Sequence, residues 1–287
     1  MSRNHPLFTQ FPLNGSALTS AGRVSTPYHV YDGYGVFIGG TADLAATREL
    51  LRMEKVMPIA TRDGRTPMGI WICNFTEASL GPHHELQFSF FADDRSLLRV
   101  KSHPFGLLAH MTSVRARMMR HGLWNSTPKV VAYNRELLSL NSRLAQSHIQ
   151  FEQGDLTFTF WDDKNCQPVL SGTLFDLDKA SVRASWDVMK QIGFRQSLSL
   201  ARRPWMNLQI LNPVGVCLNR NVVAQSFTKN DLNRVRYFSE QTDTVEFGQT
   251  PYGRLNFRPQ FVQYMKGFKF VYLQPEQMGM EQAALAS

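Results

Sequence analysis

Gly81-Pro82-His83-His84-Glu85-Leu86-Gln87-Phe88-Ser89-Phe90-Phe91 is the stretch on which the fold reading turns. The Gly-Pro pair punctuates the chain, and a period of two follows. His83, Glu85, Gln87 and Ser89 face one way; His84, Leu86, Phe88 and Phe90 face the other. That alternation belongs to a strand with two unlike faces, one apolar and one carrying chemistry.

Upstream, residues 28–38 read as a strand broken at Asp32-Gly33, with a turn at Gly39-Gly40. Residues 41–53 form a predicted helix, capped by Thr41 and carrying Leu44, Leu50 and Leu51 on one side. Residues 55–60 and 68–76 read as strands, separated by a turn signal at Asp63-Gly64. Downstream, a helical segment spans 105–120. Strands follow at 129–133, 147–152, 156–161 and 168–175, with Gly154-Asp155 joining two of them as an antiparallel hairpin. A helix over 181–192 interrupts, and short strands recur at 214–222, 234–238 and 266–273.

Many strands with few helices predict an α+β, mainly β chain built on a large antiparallel sheet or barrel with a few flanking helices. Strict βαβ alternation is absent, which disfavours a dinucleotide-binding architecture. Residues 1–26 read as an extended lead-in, 27–274 as a single domain and 275–287 as a tail.

Composition narrows the function classes. The 287 residues are 43% hydrophobic and 19% charged, as in an ordinary globular protein. Net charge is +8, but the densest basic cluster, Arg115, Arg117, Arg120 and His121, is too short for a nucleic-acid arm. Cys73, Cys166 and Cys217 are odd in number and widely spaced, which argues against a disulfide framework or a zinc ribbon. No signal-type or spanning apolar segment is evident, so a cytoplasmic location is expected, with neither membrane nor nucleic acid as partner. Glycine-rich phosphate loops, nucleophile elbows and zinc-protease motifs are all missing. His83-His84-Glu85 looks like a metal cluster, but on a strand His84 points away from the other two; neither metal nor cofactor is expected.

One segment remains: Gly122-Leu123-Trp124-Asn125-Ser126-Thr127-Pro128-Lys129-Val130-Val131. A lone lysine follows proline at the head of an apolar run predicted to be a strand. Proline fixes its own φ and holds Thr127 extended. Buried, such an amine suits imine formation; at a strand edge it would simply reach water. From the residues alone both readings stand.

The ordered motifs resemble those of the acetoacetate decarboxylase-like superfamily. Leu123-Trp124 through Pro128-Lys129 looks like its Pro-Lys segment, and Gly81 to Leu86 like its stretch ending in an active-site glutamate. Pro27-Tyr28, Thr41-Ala42-Asp43-Leu44 and the closing Lys266 to Leu273 are similar to its opening and last strand. The resemblance implies a cone-like antiparallel β-barrel and an oligomeric assembly. It also implies a Schiff-base lyase acting on a keto acid or other carbonyl compound. Lys129 would form the imine and Glu85 would act as the acid, with Trp124, Gln87 and His83 contacting substrate. The carry-over is incomplete. Val130 stands where the decarboxylase has a second lysine, residues 69–71 hold no acid, and no arginine lies near Asp32-Gly33. Spacing does not decide whether Glu77 or Arg120 substitutes. Decarboxylation, aldol or dehydration chemistry therefore stay open, as does a non-catalytic barrel that binds an apolar carbonyl metabolite.

Overall fold

The computed structural model describes residues 2–54, 56–92, 99–100, 103–112, 117–203, 205–211 and 223–273. A short helix α1 (Pro6–Gln10) and a hairpin of β1 (Gly15–Thr19) and β2 (Gly22–Thr26) occupy the segment expected to be an extended lead-in. β3 (Tyr28–Asp43) runs through Gly39-Gly40 without turning, and Asp43, rather than Thr41, caps α2 (Leu44–Leu50) by accepting from Ala46 N at 2.7 Å. β4 (Ala60–Thr61), β5 (Arg65–Ala78) and β6 (His83–Ala92) follow. Next come β7 (Arg99–Val100), α3 (Gly106–Met111), β8 (Arg117–Asn125) and α4 (Pro128–Glu136). β9 (Ser142–Glu152) and β10 (Asp155–Asp162) make the expected antiparallel hairpin, continued by β11 (Gln167–Leu174). α5 (Val182–Ile192) and α6 (Phe194–Arg202) precede β12 (Met206–Leu211), β13 (Val223–Lys229), β14 (Leu232–Tyr237), β15 (Thr244–Phe247), β16 (Arg258–Lys266) and β17 (Lys269–Tyr272). The strand expected at 214–222 lies outside the described residues, apart from its neighbour β13.

Thirteen of these strands form one sheet, ordered β12-β13-β17-β3-β5-β6-β8-β9-β10-β11-β15, with β16 also on β3 and β14 on β16. This corrects the antiparallel barrel expected from sequence. The sheet runs on through β9, β10 and β11 to a free edge at β15 instead of closing on itself. The return contact is short: Gln209, Ile210 and Leu211 of β12 pair with Arg117, Met118 and Met119 of β8. β8 gives the far half of that strand, Leu123 to Asn125, to β9. Both of these pairings are parallel, so the sheet is mixed as well as open. A barrel needs continuous pairing with a consistent stagger around the ring.

β3, β5 and β6 are buried on both faces over most of their length, whereas β9 and β10 alternate buried and exposed positions. Phe37, Cys73, Phe75, Phe91 and Leu123 enter one core. Val36, Ile38, Ile70, Ile72, Leu86, Phe88, Phe90 and Trp124 enter the other. The alternation read in residues 83–90 is thus realised, with Leu86, Phe88 and Phe90 on a single apolar side. Each such side chain stabilises the fold by roughly 1.5–3 kcal/mol through burial.

Two local expectations need correction. Of the predicted helix over 105–120, Gly106–Met111 is helical as α3, and from Arg117 onward the chain is strand, because Arg117 to Asn125 pairs with β6. The predicted strand at 129–133 is the start of α4. Pro128 occupies the first helical turn, where its missing N–H costs nothing. Val130, Tyr133 and Asn134 are buried, at helical rather than strand spacing.

Candidate active site

The chemistry-bearing face of β6 lies beside β5 and β8. Cys73 pairs with Glu85 and Trp71 with Gln87, and a bulge between Phe88 and Ser89 sets Ser89 opposite Arg120. Their side chains converge on a cavity of about 30 Å³, enough for one or two waters in this conformation. Glu85, Gln87 and Arg120 supply its charge and amide. Trp71, Phe268 and Phe270 are among the apolar residues that wall it.

Glu85 is fully enclosed, and burial pushes its carboxyl above the usual carboxylate range, against the opposing pull of Arg120 and of an Asn125 hydrogen bond. Asn125 Nδ2 donates to Glu85 Oε2 at 3.1 Å. Its Oδ1 accepts from Asn134 Nδ2 at 2.9 Å and from Ser142 Oγ at 2.8 Å. β8, α4 and β9 thereby fix one carboxyl oxygen in place. Gln87 Nε2 donates to Ser89 Oγ at 2.5 Å. Burial also pushes the neighbouring Cys73 thiol well up, and Glu85 adds to the effect, so Cys73 is not poised as a thiolate.

Arg120 is held by its guanidinium lying 4.8 Å from the Tyr272 ring centre. Its Nε is buried without a hydrogen-bond partner among the described residues, and so is Trp71 Nε1. Arg120 and Trp71, each with an unpartnered buried donor, thus line the same mostly apolar cavity as Glu85. Unpaired buried donors are costly, on the order of 1–3 kcal/mol each, and such groups are expected to meet a ligand acceptor.

The other expected site residues fall in several places. Gln87 lines the cavity. His83 shares its face, but both its nitrogens are engaged. Nδ1 lies 2.9 Å from the Gly81 carbonyl, which makes it the donor, so Nε2 accepts from Tyr28 Oη at 2.7 Å. Burial holds His83 down at about 4, hence neutral. Trp124 belongs to the opposite face: it packs with Phe88 and Tyr252 and donates to Asp162 Oδ2 at 3.0 Å. Lys129 is exposed on the first turn of α4 and does not line the cavity. Glu77, on β5, pairs with Arg3 at 2.7 Å, whereas Arg120 is in the cavity. In the segment 69–71, where an acid was sought, the Phe37 ring fills the space beside Gly69 and would lie 2.1 Å from an added Cβ. Among the described residues no group of three His, Cys, Asp or Glu could hold a metal.

Larger clefts lie elsewhere, about 300 Å³ beside Phe11 and Leu273 and about 230 Å³ beside Trp124 and Arg143. Neither contains Glu85. In the second, Asp162 is already engaged by Trp124 and by the backbone of Lys164 and Asn165.

The architecture of this mixed sheet is that of the acetoacetate decarboxylase-like fold. The structural similarity is distant and consistent. An acetoacetate decarboxylase from Legionella pneumophila superposes with a TM-score of 0.56 at 9% identity, covering 95% of both chains. A second acetoacetate decarboxylase gives 0.53 at 12% identity over 87% of each chain. The enduracididine biosynthesis enzyme MppR, in complex with pyruvate, gives 0.52 at 10% identity, covering 88% of this chain and 90% of that one. No protein-family model matches the sequence, and no curated protein does. No helix among the described residues is long and apolar enough to cross a membrane.

Proposed function

We propose that the chain binds a small keto acid in the Glu85–Arg120 cavity and exchanges a proton with it. The observation that carries this reading is the pair of unpartnered donors, Arg120 Nε and Trp71 Nε1, in one cavity with a carboxyl that burial keeps protonated to higher pH. Arg120 would hold the carboxylate by a charge-assisted hydrogen bond, and Glu85 would donate to or accept from the carbonyl side. The fold similarity to enzymes of carbonyl chemistry supports the class of substrate. The cavity must widen to admit even pyruvate.

Calorimetric titration with pyruvate tests the proposal. Wild-type protein should bind it, and Arg120→Gln should weaken binding roughly 10- to 100-fold, the value of a charged hydrogen bond. Absence of binding to wild type, or equal affinity in Arg120→Gln, overturns it. A lyase that works through an imine is the second reading, and Pro128-Lys129 together with the fold similarity favours it. The exposed position of Lys129 counts against it. Borohydride reduction with pyruvate decides: a mass adduct on Lys129 supports the imine, and its absence leaves binding and proton transfer at Glu85.

A further inference from the structure

α5 and α6 follow one another across Gly193, whose φ of +92° makes the break. α5 is fastened along one side. Ala184 is buried, Tyr237 Oη donates to Asp187 Oδ2 at 2.7 Å, and the Arg183 guanidinium lies 5.7 Å from the Tyr237 ring centre. Its outer surface mixes exposed Arg183, Ser185 and Lys190 with large apolar side chains, the Lys190 ammonium lying 5.5 Å from the Trp186 ring centre. Val182 is 84% exposed and Trp186, one turn on, 54%. α6 repeats the pattern, with Phe194 68% and Leu198, again one turn on, 44% exposed. Four large apolar side chains on two consecutive helices are more than scattered surface residues explain.

Charge selects the occupant. Residues 182–203 carry Arg183, Lys190, Arg195, Arg202 and Arg203 against one acid, Asp187. That acid is engaged by Tyr237 and lies 3.6 Å from Lys190. A second copy of the chain docked by the same face would set these cations against their own counterparts. A nucleic-acid backbone would satisfy the cations but gain nothing from Val182, Trp186, Phe194 and Leu198. An anionic bilayer surface satisfies both sets, with apolar side chains at the acyl boundary and cations at the headgroups. We propose that α5 and α6 dock the protein peripherally on anionic lipid. This departs from the sequence-based expectation of no membrane partner, which rested on spanning segments alone.

Co-sedimentation of the full chain with phosphatidylcholine vesicles containing about 30% phosphatidylserine tests this, with pure phosphatidylcholine as the contrast. Binding to the anionic vesicles alone, weakened at high salt, is expected. Arg183→Gln/Lys190→Gln/Arg195→Gln should lower the partition coefficient about a hundredfold, at roughly fivefold per cation. Trp186→Ser/Phe194→Ser should also lower it. Thermal unfolding and near-ultraviolet circular dichroism establish that both variants are folded. No binding to anionic vesicles overturns the proposal. So does a wild-type oligomer that Trp186→Ser/Phe194→Ser dissociates while lipid binding is unchanged. Binding to a DNA duplex that exceeds binding to anionic vesicles and is untouched by Trp186→Ser/Phe194→Ser overturns it as well.

Discussion

Replacing Asn125 by alanine is the sharpest test of the network that positions Glu85. Asn125 is fully buried and makes three side-chain hydrogen bonds: one donated to Glu85 and two accepted, from Asn134 and Ser142. Truncation leaves three buried partners unpaired. At roughly 1–2 kcal/mol each, the loss comes to about 3–6 kcal/mol, a large part of the 5–15 kcal/mol typical of a domain. Urea unfolding at neutral pH, followed by circular dichroism, measures it. Thr127→Val is the control two residues away: its Oγ1 is buried with no partner, so its removal should be neutral or mildly stabilising. A double-mutant cycle with Glu85→Gln should add a coupling energy above about 0.5 kcal/mol, because the two side chains are in contact. The reasoning fails if Asn125→Ala costs less than about 1 kcal/mol, or no more than Thr127→Val.

Two pH dependences arise from buried groups, with opposite signs. Glu85 keeps its proton to higher pH folded than unfolded, because burial raises it. The native state therefore binds more protons once pH exceeds the ordinary carboxylate value, and stability present below that value is lost as pH rises through the folded one. Glu85→Gln should flatten this decline in unfolding free energy measured from about pH 4.5 upward; an unchanged slope refutes the assignment. His83 and His121 are held at about 4 from 6.5 by burial, so the unfolded chain binds the extra protons and stability falls as pH drops from about 6.5 to 4. The full shift is on the order of 3 kcal/mol for each. Acid unfolding of Glu85→Gln, which isolates the histidines, should become shallower when His83→Gln is added; equal steepness would show that His83 is not buried neutral.

What could be read from sequence was what repeats locally. The period of two in residues 83–90 fixed both faces of β6, and Glu85 and Gln87 do line the cavity. The hairpin at Gly154-Asp155 and the helix over 181–192 were equally visible, since turns and helix periods need only neighbours in the chain. Long-range pairing was not visible. Arg120 entered the reading as a member of a basic cluster, and only the β6–β8 register with its bulge brings it to the cavity beside Glu85. The barrel expectation failed for a similar reason: nothing in residues 117–125 announces that one edge of β8 is divided between β12 and β9.

The strand expected at 129–133 failed for a different reason, and it bears on where Lys129 lies. The inference about Thr127 was sound: its ψ is 136°, extended as a residue before proline requires. The difference lies in the residues after Pro128. A strand alternates its side chains by 180° per residue and a helix turns them by about 100°, so the same apolar run, Val130 to Tyr133, buries different positions in each. With Pro128 opening a helix, Val130 turns inward. It joins the core that holds Cys73, Phe75 and Phe270, all cavity-lining residues, while Lys129 faces out. Motifs can therefore keep their order along the chain while a single step of helical rotation decides which side chain is buried and which faces out. The family's second lysine falls at the position held here by Val130, on the buried side. This geometry places Glu85 of β6 and Arg120 of β8 at the cavity and leaves Lys129 outside it.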